Sequence, residues 1–190
     1  MSSPEPRGAG ASSPSLRAVA REAIEFRLRE GREPETDVSR YPPHLRETRA
    51  TFVTLRREGK LRGCVGTLEA VRPLVVDVAH NAWAAAFRDP RFPPLEAAER
   101  EGLDVHLSIL RPAEPLDFGS EEDLLGQLRP GVDGLILEEG GRRGTFLPAV
   151  WESLPEPRAF LRELKRKAGL PADHWSDTLR AHRYTVESVP

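Results

Sequence analysis

The spacing of apolar residues predicts five helices. From Leu16 to Leu28, apolar side chains recur every three or four positions, which is the period of one face of a helix. Ser15 can cap this helix and Gly31 can end it. The other predicted helices run from Pro73 to Arg88, from Ser120 to Leu128, from Pro148 onward, and from Pro157 to Ala168.

Two β-hairpins are also predicted, each followed by a helix that begins at a proline. Their arms are residues 51–55 with 60–68, and residues 135–138 with 142–147. The segments Leu55–Cys64 (LRREGKLRGC) and Ile136–Thr145 (ILEEGGRRGT) share a turn glycine and an Arg-Gly pair. We therefore expect an α+β protein. Its two related hairpin-plus-helix halves are expected to form one compact domain around a mixed or antiparallel sheet.

Two further strands complete the predicted elements. Apolar and polar residues alternate strictly from Leu103 to Ile109, which predicts a half-buried strand, and a last strand is predicted from Tyr184 to Val189. Residues 1–14 are rich in Ser, Pro, Gly and Ala and lack the apolar segment of a signal peptide. We expect them to form a disordered tail, with the folded domain spanning residues 15–190.

Composition narrows the classes of function. The net charge of -2 arises from 28 basic and 30 acidic residues mixed along the chain, which disfavours nucleic acid as a partner. The single cysteine cannot form an internal disulfide, and no apolar run is long enough to span a membrane, so we expect a cytoplasmic protein. No paired-histidine motif is present, and neither a metal nor a cofactor is predicted.

Cys64 is the main candidate for chemistry because it lies between Gly63 and Gly66 in a predicted strand. Glycine weakens a strand, so this pair suggests a bulge or a close approach to a bound molecule. In an extended strand Arg62 and Cys64 point to the same side, where the guanidinium would favour the reactive thiolate. Two alternatives remain: Cys64 as a small buried hydrophobic residue, and a bulge that changes the direction of its side chain.

Other residues add to this candidate site. His106 lies on the polar side of its strand and could act as a base for Cys64 if the two strands are neighbours; a solvated histidine is the alternative. In the second half, Arg143 and Thr145 repeat the pair Arg62 and Cys64. Two arginines with a thiol and a hydroxyl suit a phosphate or carboxylate ligand, whereas the alternative is two unrelated surface arginines.

Several segments of the chain closely resemble the AMMECR family, whose prokaryotic members are called protein A of the AmmeMemoRadiSam system. These segments are LRGCVGTLEAVRPL (residues 61–74), NAWAAAFRDPRFPPL (81–95), PGVDGLIL (130–137), GRRGTFLPAVWE (141–152) and LKRKAGLPADHWS (164–176). The resemblance extends from about Leu16 to Val189. It implies a compact α+β fold of two subdomains and a pathway shared with a Memo-like protein and a radical SAM protein.

The resemblance also implies which residues form the site. With the residue-based candidates above, the expected catalytic residues are Cys64, Arg62 and His106. The expected ligand-binding residues are Gly63, Gly66, Thr67, Asp89, Arg91, Phe92, Arg143, Gly144 and Thr145. Two hypotheses follow: an enzyme that uses Cys64 as a nucleophile on a small anionic or carbonyl-containing metabolite, and a binding or scaffold module for the two partner proteins.

Overall fold

A computed structural model of the chain describes residues 15–189, which divide into two units. The first unit extends to Leu107 and includes Val189, and the second spans Ser108–Ser188. The helices of the described chain are α1 (Leu16–Glu30), α2 (Pro43–Arg46), α3 (Leu74–Phe87), α4 (Glu121–Gln127) and α5 (Pro157–Lys167). The strands are β1 (Ala50–Arg57), β2 (Lys60–Gly66), β3 (Leu103–Leu110), β4 (Glu114–Pro115), β5 (Gly134–Glu139), β6 (Arg142–Phe146), β7 (Arg180–Tyr184) and β8 (Val186–Val189).

The strands form two antiparallel four-stranded sheets, in the orders β2-β1-β3-β8 and β4-β7-β5-β6. This arrangement confirms the predicted α+β class. It differs from the expectation of one sheet, because each hairpin lies in a sheet of its own. The predicted disordered tail lies outside the described residues.

The first unit is built around α3. Helix α1 begins after Ser15, whose hydroxyl accepts a hydrogen bond from Ala18 N at 3.2 Å, and it ends at Gly31 in the left-handed conformation. The buried face of α1 packs on α3, and α3 in turn packs on β1 and β2. Helix α3 is therefore apolar around most of its circumference, as expected of a helix covered on two sides.

The hairpin of β1 and β2 contains a bulge at Arg62. Leu55 pairs with Gly63, whereas the next residue of β1, Arg56, pairs with Leu61, so that Arg62 has no partner on β1. Beyond the bulge, Gly63 lies against the backbone of α3. A Cβ at this position would lie 2.0 Å from the main-chain oxygen of Ala85. Glycine is therefore required here because the helix and the strand approach so closely.

The second unit contains a hairpin with the same relation to a helix. Strands β5 and β6 pair around Gly140 and Gly141, both of which have positive φ. Gly144 on β6 lies against Ala168 at the end of α5, where a Cβ would come within 2.9 Å of that residue. Each hairpin thus carries, on its second arm, a glycine that lies against a helix.

The C-terminal part differs from the prediction. In place of one strand from Tyr184, the chain forms β7 and β8, which are separated by Thr185. Strand β7 pairs with both β4 and β5. It escaped prediction because its charged residues obscure the apolar alternation on which strand prediction depends.

The segment opened by Pro148 is a 3-10 helix, Pro148–Glu152.

Candidate functional site

Cys64 lies half-buried on β2, directly across from Thr54 on β1. Its Sγ is 3.3 Å from the Thr54 hydroxyl oxygen, and either group can be the donor. Its main-chain N–H donates to Asp89 Oδ2 at 2.9 Å. The residue is therefore tied both to the neighbouring strand and to the loop that follows α3.

Asp89 organises this loop. It is 5% exposed and accepts hydrogen bonds from the main-chain N–H of Cys64 and of Arg91 and from the Arg91 guanidinium, whose Nε and Nη2 lie 2.9 and 2.7 Å from its oxygens. The bond from the Arg91 side chain is the main reason that the pKa of Asp89 falls to about 2. The carboxyl group is therefore ionised at neutral pH and fixes the position of Arg91.

Arg91 is the cation that lies beside Cys64. Its Nη2 donates to the main-chain oxygen of Cys64 at 3.4 Å. Its pKa is raised, chiefly by the side-chain hydrogen bonds to Asp89. The side chain is 56% exposed, and within residues 15–189 its Nη1 makes no hydrogen bond. That nitrogen is available to a bound molecule.

Arg62 forms an ion pair with a different residue, Glu99. Its Nε and Nη2 donate to the two carboxylate oxygens of Glu99 at 2.7 and 2.9 Å, and Nη2 also donates to Pro93 O at 3.1 Å. The pairing with Arg62 lowers the pKa of Glu99 to about 2. The expectation that Arg62 lies beside the Cys64 thiol assumes a regular extended strand, whereas the bulge leaves Leu61 exposed and Arg62 buried against Glu99.

Phe92 connects the two arginines. The guanidinium carbons of Arg62 and Arg91 lie 5.8 and 5.6 Å from the centre of its ring, within the range of a cation–π contact. We refer to Thr54, Cys64, Asp89, Arg91 and Phe92 as the Cys64 cluster. It combines a thiol, a hydroxyl, a fixed guanidinium and an aromatic ring.

His106 is not close to this cluster. Strand β1 lies between β2 and β3, and neighbouring strands are about 4.8 Å apart, so β3 is about two such spacings from β2. The condition for His106 to act as a base for Cys64, that their strands are neighbours, is not met. The side chain is exposed on the polar side of β3, as the alternation predicts.

Thr67 belongs to a buried network that sequence reasoning missed. Its hydroxyl donates to Asp77 Oδ1 at 3.0 Å, and the fully buried Asp77 also accepts from Thr51, Arg72 and Asn81. Asp77 and Asn81 lie one helical turn apart on α3, a spacing that by itself does not distinguish an exposed polar face from a buried one. Only the packing of that face against β1 shows that the surface is interior.

Gly66 has a structural explanation as well. The ring of Phe52 covers it, and a Cβ at this position would lie 2.2 Å from Phe52 Cγ. Both glycines that flank Cys64 are therefore sites of close packing within the first unit.

In the second unit, the candidates of the other hairpin all have partners. Arg143 Nε lies 3.1 Å from Glu138 Oε1 on the paired strand. The Thr145 hydroxyl donates to Leu135 O at 3.0 Å and lies 3.0 Å from the Tyr184 hydroxyl. Burial raises the pKa of Tyr184 to about 12.

Among residues 15–189, no three His, Cys, Asp or Glu side chains are grouped as metal ligands would be. None of the helices in this range has the length and apolar character needed to cross a bilayer.

Comparisons with known proteins place the chain among similar sequences. A family model described as AMMECR1 matches residues 17–189. A protein of Methanothermobacter thermautotrophicus is 40% identical over 179 residues, which cover 91% of each chain. One of Thermotoga maritima is 41% identical over 167 residues, or 86% of this chain and 90% of that protein. The crystal structure of the uncharacterized protein PH0010 from Pyrococcus horikoshii has a TM-score of 0.84 and 37% identity, covering 91% of this chain and 88% of that one.

Proposed function

Since the chain belongs to the AMMECR1 family, we propose that it binds a small anionic metabolite at the Cys64 cluster, in a cytoplasmic pathway shared with a Memo-like protein and a radical SAM protein. The partners are suggested by the family resemblance of the sequence. The ligand is suggested by the chemistry of the cluster.

The observation that carries the ligand proposal is the guanidinium of Arg91. Asp89 holds it in place through two hydrogen bonds, so little side-chain entropy is lost when a ligand binds. Its Nη1 still points to no acceptor within the described chain. A carboxylate or phosphate oxygen is the acceptor that guanidinium groups bind most strongly.

The surroundings of Arg91 add contacts for the rest of a small molecule. The Thr54 hydroxyl and the Cys64 thiol can each donate or accept a hydrogen bond, and Phe92 offers an apolar face. The Arg62 guanidinium is always protonated and is paired with Glu99, and His106 lies on a strand that is not adjacent to β2. The cluster therefore favours binding, and a nucleophilic role for Cys64 requires a base supplied by the ligand or by a partner protein.

The single cysteine provides a direct test. The rate of alkylation by iodoacetamide reports only on Cys64, and it can be measured in the full chain with acetate, succinate, phosphate or pyrophosphate present. We expect at least one of these anions to slow alkylation in a saturable manner. Substitution Arg91→Gln is expected to abolish the protection, whereas Arg21→Gln, a charge-matched change on the exposed face of α1, is expected to preserve it.

The proposal fails if none of the four anions changes the alkylation rate. It also fails if protection is the same in Arg91→Gln as in the unaltered protein, since the anion would then bind elsewhere.

A second candidate is a scaffold that docks on the two partner proteins. It is favoured by the surface next to the cluster, where Leu61 is 38% exposed and Pro90, Pro93 and Pro94 make an exposed, stiff loop. A rigid apolar surface loses little entropy on association. We expect Leu61→Ser to weaken co-purification with the partners, and Val71→Ser, at a residue 63% exposed in the same unit, to have no effect. Equal co-purification of the two variants would exclude this surface.

A further inference from the structure

A pocket in the second unit brings three arginines together at a site separate from the Cys64 cluster. Its volume is about 560 Å³, within the range of small-molecule sites. It is lined by Arg111, Arg129 and Arg183, together with Glu114, Tyr184 and Thr185. We refer to it as the arginine pocket.

Arg111 supplies the charge that is not neutralised within the described chain. Its backbone is fixed directly after β3, where its N–H donates to Thr185 O at 2.9 Å. Its side chain is exposed, and no hydrogen bond or ion pair engages its guanidinium within residues 15–189. All five N–H donors of this group are available to a ligand.

Arg129 is held at the pocket by a buried carboxylate. Its Nη2 lies 2.6 Å from Asp133 Oδ1 and its Nε 3.1 Å from both carboxylate oxygens, and Asp133 is fully buried. Asp133 raises the pKa of Arg129, with a smaller contribution from Glu114. The Nη1 group is not used in this pairing. The position of the guanidinium is therefore set before any ligand arrives.

Arg183 completes the set from β7. It lies opposite Glu114 on β4, with Nε 3.6 Å from Glu114 Oε2, and its Nη1 donates to Gln127 O at 3.5 Å. The Nε atom is buried and makes no hydrogen bond within the described chain. Glu114 Oε2 is just beyond hydrogen-bond distance of this nitrogen, so the two side chains interact through their charges.

The charges of the pocket favour an anion. Three guanidinium groups face two carboxylates, and of these Asp133 lies behind Arg129 while Glu114 is 71% exposed at the rim. We propose that the arginine pocket binds a small molecule that carries a phosphate group. Phosphate presents three oxygens and a charge close to two, which suits a pocket lined by three guanidinium groups.

The test is an NMR titration of the full chain with inorganic phosphate and with pyrophosphate, following the Nε–H signals of arginine. We expect saturable shifts for the arginines of the pocket. Since the Arg111 guanidinium has no partner within residues 15–189, Arg111→Gln should fold normally and weaken binding by about tenfold or more. Arg162→Gln, a charge-matched change on the exposed side of α5, should bind as the unaltered protein does.

Three results would overturn the proposal. The first is the absence of saturable shifts with either anion, and the second is equal binding by Arg111→Gln and the unaltered protein. The third is equal affinity for acetate, which would contradict the assignment to phosphate. Arg91→Gln separates this site from the Cys64 cluster, because binding that is lost in that variant and kept in Arg111→Gln belongs to the cluster.

Discussion

Asp89 and Cys64 are joined by a hydrogen bond of 2.9 Å from the main-chain N–H of the cysteine to the carboxylate of the aspartate. The two residues lie 25 positions apart in the chain. Asp89 also holds Arg91, so a single buried carboxylate sets both the position of the strand that carries the thiol and the position of the neighbouring cation.

Substitution Asp89→Asn should loosen the cluster. The amide cannot accept all the hydrogen bonds that the carboxylate accepts, and Arg91 loses its counter-ion. We expect a loss of about 1–3 kcal/mol in the free energy of unfolding in urea. The protection of Cys64 by anions should weaken as well. Asp104→Asn, on the exposed face of β3, is the matched control and should change neither quantity.

The stability of the protein should depend on two carboxyl groups at acid pH. The pKa values of Asp89 and Glu99 are both about 2 in the folded chain, below their ordinary values of 3.8 and 4.5. Their contribution is therefore fully present above about pH 4.5 and is lost as the pH falls toward 2. Unfolding free energies measured across this range should fall, and they should fall less steeply in Glu99→Gln.

Gly63→Ala should be strongly destabilising. The added Cβ would lie 2.0 Å from the Ala85 oxygen, which is part of a helix backbone and cannot turn aside as a side chain could. We expect a loss of about 1–3 kcal/mol or more in the free energy of unfolding. Gly119→Ala is the control because nothing lies within 4 Å of its Cβ position. Equal stability of the two variants would contradict the close approach of α3 to β2.

The variant Thr67→Val tests whether Thr67, one of the residues expected to bind a ligand, contributes to stability or to ligand binding. The hydroxyl donates to the buried Asp77, so its loss leaves that carboxylate short of a donor. We expect the unfolding free energy to fall by about 1–3 kcal/mol, with the anion protection of Cys64 unchanged. A variant of normal stability whose Cys64 is no longer protected would instead place Thr67 in the ligand site.

Local signals made much of the fold predictable. Helix α1 follows from its apolar period, from the Ser15 hydroxyl and from Gly31, all of which act within one or two turns. The turn of the first hairpin follows from Glu58 and Gly59, both of which adopt positive φ. Strand β7 could not be predicted in this way, because its pairing with β4 and β5 determines it more than its own residues do.

The site was less predictable because its contacts join residues that lie far apart in the sequence. The direction of the Arg62 side chain depends on a bulge. Its partner Glu99 lies 37 residues away, in a segment without a recognisable motif. His106 was correctly placed on a polar face, but alternation within a strand does not reveal which strands are neighbours. Arg91 was included among the expected residues through the family resemblance, and its contact with Cys64 is visible only in three dimensions.

The bulge at Arg62 has a consequence for how the two hairpins correspond. When Leu55–Cys64 is aligned with Ile136–Thr145, the β-turn of the first hairpin begins one alignment position earlier than the β-turn of the second hairpin. Arg62 adds one residue to β2 after the turn, which cancels this offset before Gly63. Gly63 and Gly144 therefore occupy equivalent positions in their hairpins, and Cys64 corresponds to Thr145. Equivalent positions of the two hairpins thus carry a sulfur atom in the first unit and a hydroxyl oxygen in the second.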